Sequence, residues 1–313
     1  MTATPHLDAL QRDGFVVVRN LLSPSEISHY HTIATKATTK TRAGSWPHFR
    51  TVPKQFPPWP STPPPASEGG IWGVQHLLHP DMEDRQSFAQ CYFSSSILKV
   101  VEELVGVQTA DSNSEPLVME LFNLLVAPET KDFELRWHRD DIPETATAEE
   151  ELAQLAAKSP GGCQSHAQYN LALCPDASLI VVPGSHRRAR TDTERNAEPY
   201  ASHLPNQLVV ELQPGDAVFY DSNILHRGVY KAKPEGGEET RLTLHGSLGL
   251  KAANGAGDDE KKKVRATAVL QHGVGGWVHR DDAAFGIGER PERMRANLVA
   301  MGTGEGVGFS LQG

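Results

Sequence analysis

Cysteine is scarce in this chain of 313 residues. Cys91, Cys163 and Cys174 are an odd number without C-x-x-C spacing, which argues against a disulfide framework and a zinc finger and points to reduced thiols. Long apolar runs are missing too: none approaches the roughly 20 residues of a membrane-crossing helix. The first ten residues carry neither a basic stretch nor an apolar core, so no signal peptide is expected. Ser310-Leu311-Gln312-Gly313 is not a peroxisomal address. Positive charge is in deficit, with 30 Lys and Arg against 39 Asp and Glu and a formal net charge of −9. That balance argues against broad binding of nucleic acid or of an anionic membrane. The basic run Lys261-Lys262-Lys263 directly follows Asp258-Asp259-Glu260 and reads as a solvated loop. No internal repeat is present. The expectation that remains is a cytoplasmic protein, monomer or homodimer, whose partner is a small molecule.

Proline, by contrast, is concentrated. Between Trp46 and Gly70, Pro47, Pro53, Pro57, Pro58, Pro60, Pro63, Pro64 and Pro65 preclude regular structure. Trp46, Phe49, Phe56, Trp59 and Trp72 are interleaved with them, so the stretch is read as a loop packed over something rather than a linker. Before it, a short helix from His6 to Asp13 feeds a strand at Gly14–Arg19. Ser23-Pro24-Ser25-Glu26 then supplies an N-cap, a first-turn proline and an early acid for a helix running to about Thr38. Phe88–Val105 reads as a helix stopped by Gly106, and Leu117–Ala127 as a buried strand ended by Pro128. Glu144–Lys158 is rich in Ala and Glu and predicts a helix, in a usual place for a lid. Strands follow thickly at Ala167–Leu173, Leu179–Val182, Gln207–Leu212, Ala217–Tyr220, Gly228–Lys231 and Arg241–Leu248. Short strands with turn signals at this spacing predict a sandwich or barrel of antiparallel sheets. The tail from Asp258 is polar, then carries an amphipathic helix at Pro291–Met301. The whole chain, 1–313, is read as one domain: a core at about 117–248, N-terminal helices and the proline-rich loop at 1–116, and a C-terminal extension at 249–313.

The chemistry is concentrated in Glu134-Leu135-Arg136-Trp137-His138-Arg139-Asp140-Asp141. Read as a strand end, this stretch puts His138 and Asp140 on one face, because side chains alternate with period two. An imidazole and a carboxylate so placed can take adjacent positions around one metal ion. His226, in Asn223-Ile224-Leu225-His226-Arg227-Gly228, is the natural third ligand. Two His and one carboxylate on one face of an iron leave three positions open for cosubstrate, substrate and oxygen.

Four motifs occur in order: His138-x-Asp140, Val182-Pro183-Gly184-Ser185-His186, Pro214-Gly215-Asp216 and His226-x-Gly228, with about 90 residues between the two metal-binding parts. Together they resemble the phytanoyl-CoA dioxygenase superfamily, which includes ectoine-hydroxylase-like enzymes. The resemblance covers roughly Leu117–Leu248, with a weaker echo at Gly14-Phe15-Val16-Val17. It implies a mainly β fold with flanking helices around a double-stranded β-helix of the jelly-roll or cupin type. It implies Fe(II), 2-oxoglutarate as cosubstrate and O2, with His138, Asp140 and His226 as the catalytic metal ligands. The activity implied is dioxygenation of a small organic molecule, hydroxylation by default, with release of succinate and CO2. An Arg one strand beyond the second His holds the far carboxylate of the cosubstrate in this family. Arg241, fifteen residues after His226, takes that role, with Thr243 facing the same way and Pro234–Glu239 read as an inserted loop. Asn123 and Asn170 sit on otherwise apolar faces, and inward positions of this kind contact cosubstrate or substrate. Asp140 also speaks against the halogenase variant, where a small residue replaces the carboxylate.

Blander readings stand beside these. Arg136 either reaches the pocket or pairs with Glu134. His186, Arg187 and Arg188 are exposed or structural, and His76 and His79 are satisfied loop histidines or line the mouth. His245 is in phase with Arg241 and Thr243. Two other functions stay open: a non-catalytic metal-binding β-barrel acting as a small-molecule sensor or binding protein, and a cupin-type iron enzyme that uses no 2-oxoglutarate.

Overall fold

Every ladder between the strands of the computed structural model, which describes residues 4–55, 59–107, 115–156, 163–233, 240–252 and 258–303, is antiparallel. The large sheet contains β1 (Phe15–Val18), β2 (Phe49–Thr51), β3 (Ile71–Val74), β4 (Leu117–Val126), β6 (His166–Ala172), β9 (Ala217–Tyr220) and β11 (Leu242–Leu250), in the order β1-β9-β6-β11-β4-β3-β2. The small sheet contains β5 (Phe133–Glu134), β7 (Leu179–Val181), β8 (Leu208–Val209) and β10 (His226–Tyr230), in the order β5-β10-β7-β8. Helices α1 (Pro5–Asp13), α2 (Pro24–Arg42), α3 (Arg85–Tyr92), α4 (Ser95–Val105), α5 (Ala148–Ala156), α6 (Asp192–Arg195), α7 (Asp258–Gln271) and α8 (Glu289–Met301) flank them. The result is mainly β with flanking helices, the class that the resemblance implies, and its sheets are antiparallel as the strand spacing predicts.

Strand periodicity decides where the core lies. On β4, Phe122, Leu124 and Val126 share one cluster with Ile97 and Val101 of α4 and Met294 and Leu298 of α8. Leu121 and Leu125 alternate to the other face and line an internal cavity. The main apolar core is therefore between the large sheet and the helices, outside the space between the sheets. At one end of that space Leu179, Val181, Val210, Leu212, Val218 and Ile224 close up with Phe15 and Val17. The other end is left free for polar side chains.

Several elements differ from their sequence expectation. The helix expected to end near Thr38 continues to Arg42 and stops at Ala43-Gly44, and the expected helix Phe88–Val105 is two helices. Ser94 breaks it by capping α4, its hydroxyl accepting the Ile97 N–H. The proline-rich stretch is not wholly irregular: Phe49–Thr51 fits between Pro47 and Pro53 and pairs with β3. Phe56, Pro57 and Pro58 lie outside the described residues, as do Pro234–Glu239 and the end of the helix expected to reach Lys158. Lys261–Lys263 belong to α7 rather than to a loop.

Arg265 of α7 makes a two-pronged pair with Glu120 of β4, 2.7 Å at each contact, and Glu120 is 2% exposed. Removing the cation would strand a buried carboxylate. Arg265→Met is expected to lose about 3–5 kcal/mol of stability in urea unfolding. A loss below about 1 kcal/mol, the usual range of exposed pairs, would show that this pair does not hold α7 to the sheet.

Candidate metal centre and its cavity

His138 and His226 form an isolated antiparallel bridge, each backbone N–H donating to the other's carbonyl at 3.0 Å. The bridge sets the two imidazoles side by side, with ring centroids 4.3 Å apart. Asp140, two residues along, reaches the same centre: its Oδ1 is 3.5 Å from His138 Nε2 and 3.6 Å from His226 Nε2. One donor atom from each of the three residues lies within 4.8 Å of the other two. The second nitrogen of each ring is tied to backbone: His138 Nδ1–H donates to the Arg136 carbonyl at 2.7 Å, and His226 Nδ1–H to the Ile224 carbonyl at 2.9 Å. This fixes the tautomer that turns each Nε2 lone pair to the centre. Gln168 Nε2 donates to Asp140 Oδ2 at 2.8 Å, which leaves Oδ1 for the centre.

Electrostatics agree with that geometry. Burial pushes His226 down to about 4, with His138 adding to the shift, so its ring is neutral near pH 7. Burial alone would raise the Asp140 carboxyl, but His226, His138 and the Gln168 amide hold it well below the usual carboxylate range. Imidazole nitrogens and an ionised carboxylate crowded on one side of an open space are a donor set that suits iron(II) with free positions.

Arg139, between two members of the cluster, points the opposite way and is 1% exposed. Its guanidinium donates to the carbonyls of Ser185 and Arg188 at 3.0 Å each, and to that of Asn223. It also approaches Glu151 of α5, which takes Arg190 at 2.5 Å and Arg195 at 2.8 Å. The backbone that carries the cluster is thus clamped from behind.

The cavity beside the cluster measures about 810 Å³. Arg241 enters it from the start of β11. Its Nε donates to Asp176 Oδ2 at 3.3 Å, its guanidinium stands 4.1 Å from the Tyr230 ring centroid, and its Nη1 is buried without a partner among the described residues. Asn170 also lines the cavity, its Oδ1 bonded to His245 Nδ1 at 2.8 Å, so His245 lines it as well.

Two expected contacts are corrected. Thr243 is absent from the lining; its hydroxyl donates to Asp176 Oδ2, the oxygen that Arg241 uses, so it orients the counter-ion instead. Asn123 has the expected phase with Leu121 and Leu125, but the segment after β3 packs over it, and its Oδ1 accepts the His76 N–H at 3.0 Å. Arg136 does neither of the things expected of it: it pairs with Glu144 at 2.9 Å, while Glu134 pairs with Arg227. His186 is buried against Gln11. His76 and His79 pack with His48, ring centroids 4.9 Å and 5.3 Å away, off the cavity.

Sequence reasoning passed over Gln168, Tyr220, Tyr230, Arg50 and the inner face of α7, all of which line the cavity. Gln168 had a usable signal, since it is in phase with Asn170. Arg50 had none, because it sits among prolines.

The sequence profile of the phytanoyl-CoA dioxygenase (PhyH) family matches residues 10–229. No curated protein sequence matches the chain. Among solved structures the chain is similar to AviO1 from Streptomyces viridochromogenes, with 19% identity over 81% of this chain and 97% of that one and a TM-score of 0.52. It is similar to EctD from S. alaskensis solved with 2-oxoglutarate and 5-hydroxyectoine, with 17% identity over 79% and 76% and a TM-score of 0.54. It is also similar to HygX from Streptomyces hygroscopicus solved with nickel and 2-oxoglutarate, with 15% identity over 80% and 87% and a TM-score of 0.53. At these identities the likeness is one of fold.

The buried histidines carry a pH consequence. Burial above all pushes His76 and His245 down to about 3. An unfolded histidine titrates near 6.5, so below that pH the unfolded chain binds protons that the folded chain refuses. Stability is then complete above about pH 7 and falls as the pH drops through 6.5 towards about 3, by at most about 2 kcal/mol at pH 5 for His76. Thermal unfolding of the metal-free protein at pH 7.5 and 5.0 measures this, and equal midpoints would contradict it.

Proposed function

The chain belongs to the phytanoyl-CoA dioxygenase family, and from that premise we propose that it is an iron(II)- and 2-oxoglutarate-dependent dioxygenase. It oxidises a small organic molecule, by hydroxylation in the simplest case, and releases succinate and CO2. The observation that carries this reading is the convergence of His138, Asp140 and His226, one donor atom each, on a point open to a cavity of about 810 Å³. Those three side chains would hold iron(II) and leave coordination positions for cosubstrate and oxygen. The likeness to EctD and HygX, solved with iron or nickel and with 2-oxoglutarate, supports the same pair of cofactors.

Iron(II) with 2-oxoglutarate and O2 supplies the oxidation: one oxygen atom goes into succinate as CO2 leaves, and the other is available to an unactivated C–H bond. The protein's own share is placement. Arg241, with an unpartnered buried Nη1, would receive the far carboxylate of 2-oxoglutarate, while Asp176 and Thr243 keep the guanidinium in position. The Gln168 amide and the Arg136 and Ile224 carbonyls fix the orientation of the three ligands. Trp72, Leu121, Leu125 and Leu135 surround the reacting space with apolar surface, which limits water there. The buried Arg241 nitrogen favours 2-oxoglutarate over a cupin-type iron chemistry that uses none.

Anaerobic addition of iron(II) and then 2-oxoglutarate should produce the visible charge-transfer band of the chelate. A metabolite screen in air should then find a compound that stimulates succinate release. If 2-oxoglutarate leaves the spectrum of the iron-loaded protein unchanged, the dioxygenase reading fails. Asp140→Ala is expected to abolish iron retention. Arg241→Gln is expected to keep iron and to weaken 2-oxoglutarate roughly 10- to 100-fold, as for a lost charged hydrogen bond of about 1.5–3 kcal/mol. An unchanged affinity in that variant would remove Arg241 from the cosubstrate site.

A further inference from the structure

We propose that Arg50 anchors an acidic group of the substrate, so that the substrate class is a small organic acid with an apolar body. This rests on the dioxygenase reading only in calling the bound acid a substrate. Three arginines among the described residues line the cavity. Arg241 has Asp176 and Arg265 has Glu120, whereas Arg50 has no carboxylate or hydrogen-bond partner among the described residues. Of the carboxylates on the lining, Asp140 belongs to the metal-ligand cluster and Asp141 is taken by Ser222 at 2.7 Å and Asn223 at 3.0 Å. Glu260 lies exposed on α7.

The fold holds Arg50 in this position. It pairs across strands with Gly73, where a side chain would crowd it: a Cβ there would come within 3.3 Å of Arg50 Cδ. A register shift in the same ladder leaves Trp72 as the extra residue and turns its ring to the cavity. The Arg50 guanidinium stands 5.0 Å from the Trp72 centroid. Trp72 stacks on Tyr230 at 5.6 Å and 18°, and Arg241 lies on Tyr230. One wall of the cavity is therefore a column, Arg50–Trp72–Tyr230–Arg241, with a cation at each end and a counter-ion at only one. Burial disfavours the Arg50 charge and lowers its pKa, so an arriving anion offsets a standing cost. Gln55 adds a second vacant donor on the same segment, its Nε2 buried and without a partner among the described residues, and it is on the cavity lining. Trp59, Trp72, Leu121, Leu125 and Leu135 provide the apolar surface for the rest of the ligand.

The test uses the full chain loaded anaerobically with iron(II) and 2-oxoglutarate, with tryptophan fluorescence as the binding signal. The probes are matched pairs, 3-phenylpropionate against 3-phenylpropionamide and octanoate against octanamide. The wild type should bind the acids at least tenfold more tightly than the amides. Arg50→Gln should abolish that preference, Arg50→Lys should retain part of it, and both variants should keep the 2-oxoglutarate chromophore. Acids that bind no better than amides to the wild type overturn the proposal, as does a preference that survives Arg50→Gln. A weakened chromophore in Arg50→Gln overturns it too, by assigning Arg50 to the cosubstrate. A wild type without the chromophore would sink the dioxygenase reading instead, while the acid preference stays readable by fluorescence.

Discussion

The pair of backbone hydrogen bonds between His138 and His226 is the constraint on which the rest of the site depends. Two side chains far apart in sequence become neighbours because their peptide groups satisfy each other. Asp140 follows automatically, since a step of two along an extended chain returns to the same face. The same alternation sends Arg139 backwards, into the carbonyls of Ser185, Arg188 and Asn223. Carbonyls of the Pro183–Asn223 side of the fold are thereby drawn to the strand that carries the donors. A buried arginine with this many acceptors is a clamp, and Glu151 extends it to α5. Ligand geometry and the position of α5 thus share one ionic cluster.

The placement of the apolar core explains why this end of the sandwich is free for chemistry. Helices α4 and α8 cover the outer face of the large sheet and supply the burial that stabilises the fold. The inner face need not be wholly apolar, and it carries Gln168, Asn170, His245 and Arg241 in one continuous polar stripe. Such a stripe is tolerable because its members bond to one another, as Asn170 does with His245 and Arg241 with Asp176. Two of the buried atoms without a partner among the described residues, Arg241 Nη1 and Gln55 Nε2, belong to residues on the cavity lining, where a ligand would satisfy them.

What was legible beforehand followed from local rules. The buried strand at 117–126, the turn residues and the span of Ala217–Tyr220 are properties of a few consecutive residues. Legibility failed wherever a distant partner decided the outcome. Phe49–Thr51 became a strand because β3 offered an edge between two prolines. Asn123 had the right phase and the wrong neighbour, since the His76 backbone claimed its oxygen. Thr243 faced the right way, yet its hydroxyl donates to Asp176.

By itself, then, the amino-acid order determined the antiparallel sheets, the pairing of His138 with Asp140 on one face and the family to which the chain belongs. Periodicity and short motifs act over a handful of residues and need no knowledge of the remainder. Tertiary structure alone decided which polar groups on the inner face meet the cavity and which are consumed as scaffolding. It alone brought Arg50 from a proline-rich stretch, and α7 from the polar tail, to the walls of that cavity. The physical reason is that a hydrogen bond or an ion pair is awarded to the nearest partner in space, and nearness across 200 residues is a property of the folded chain.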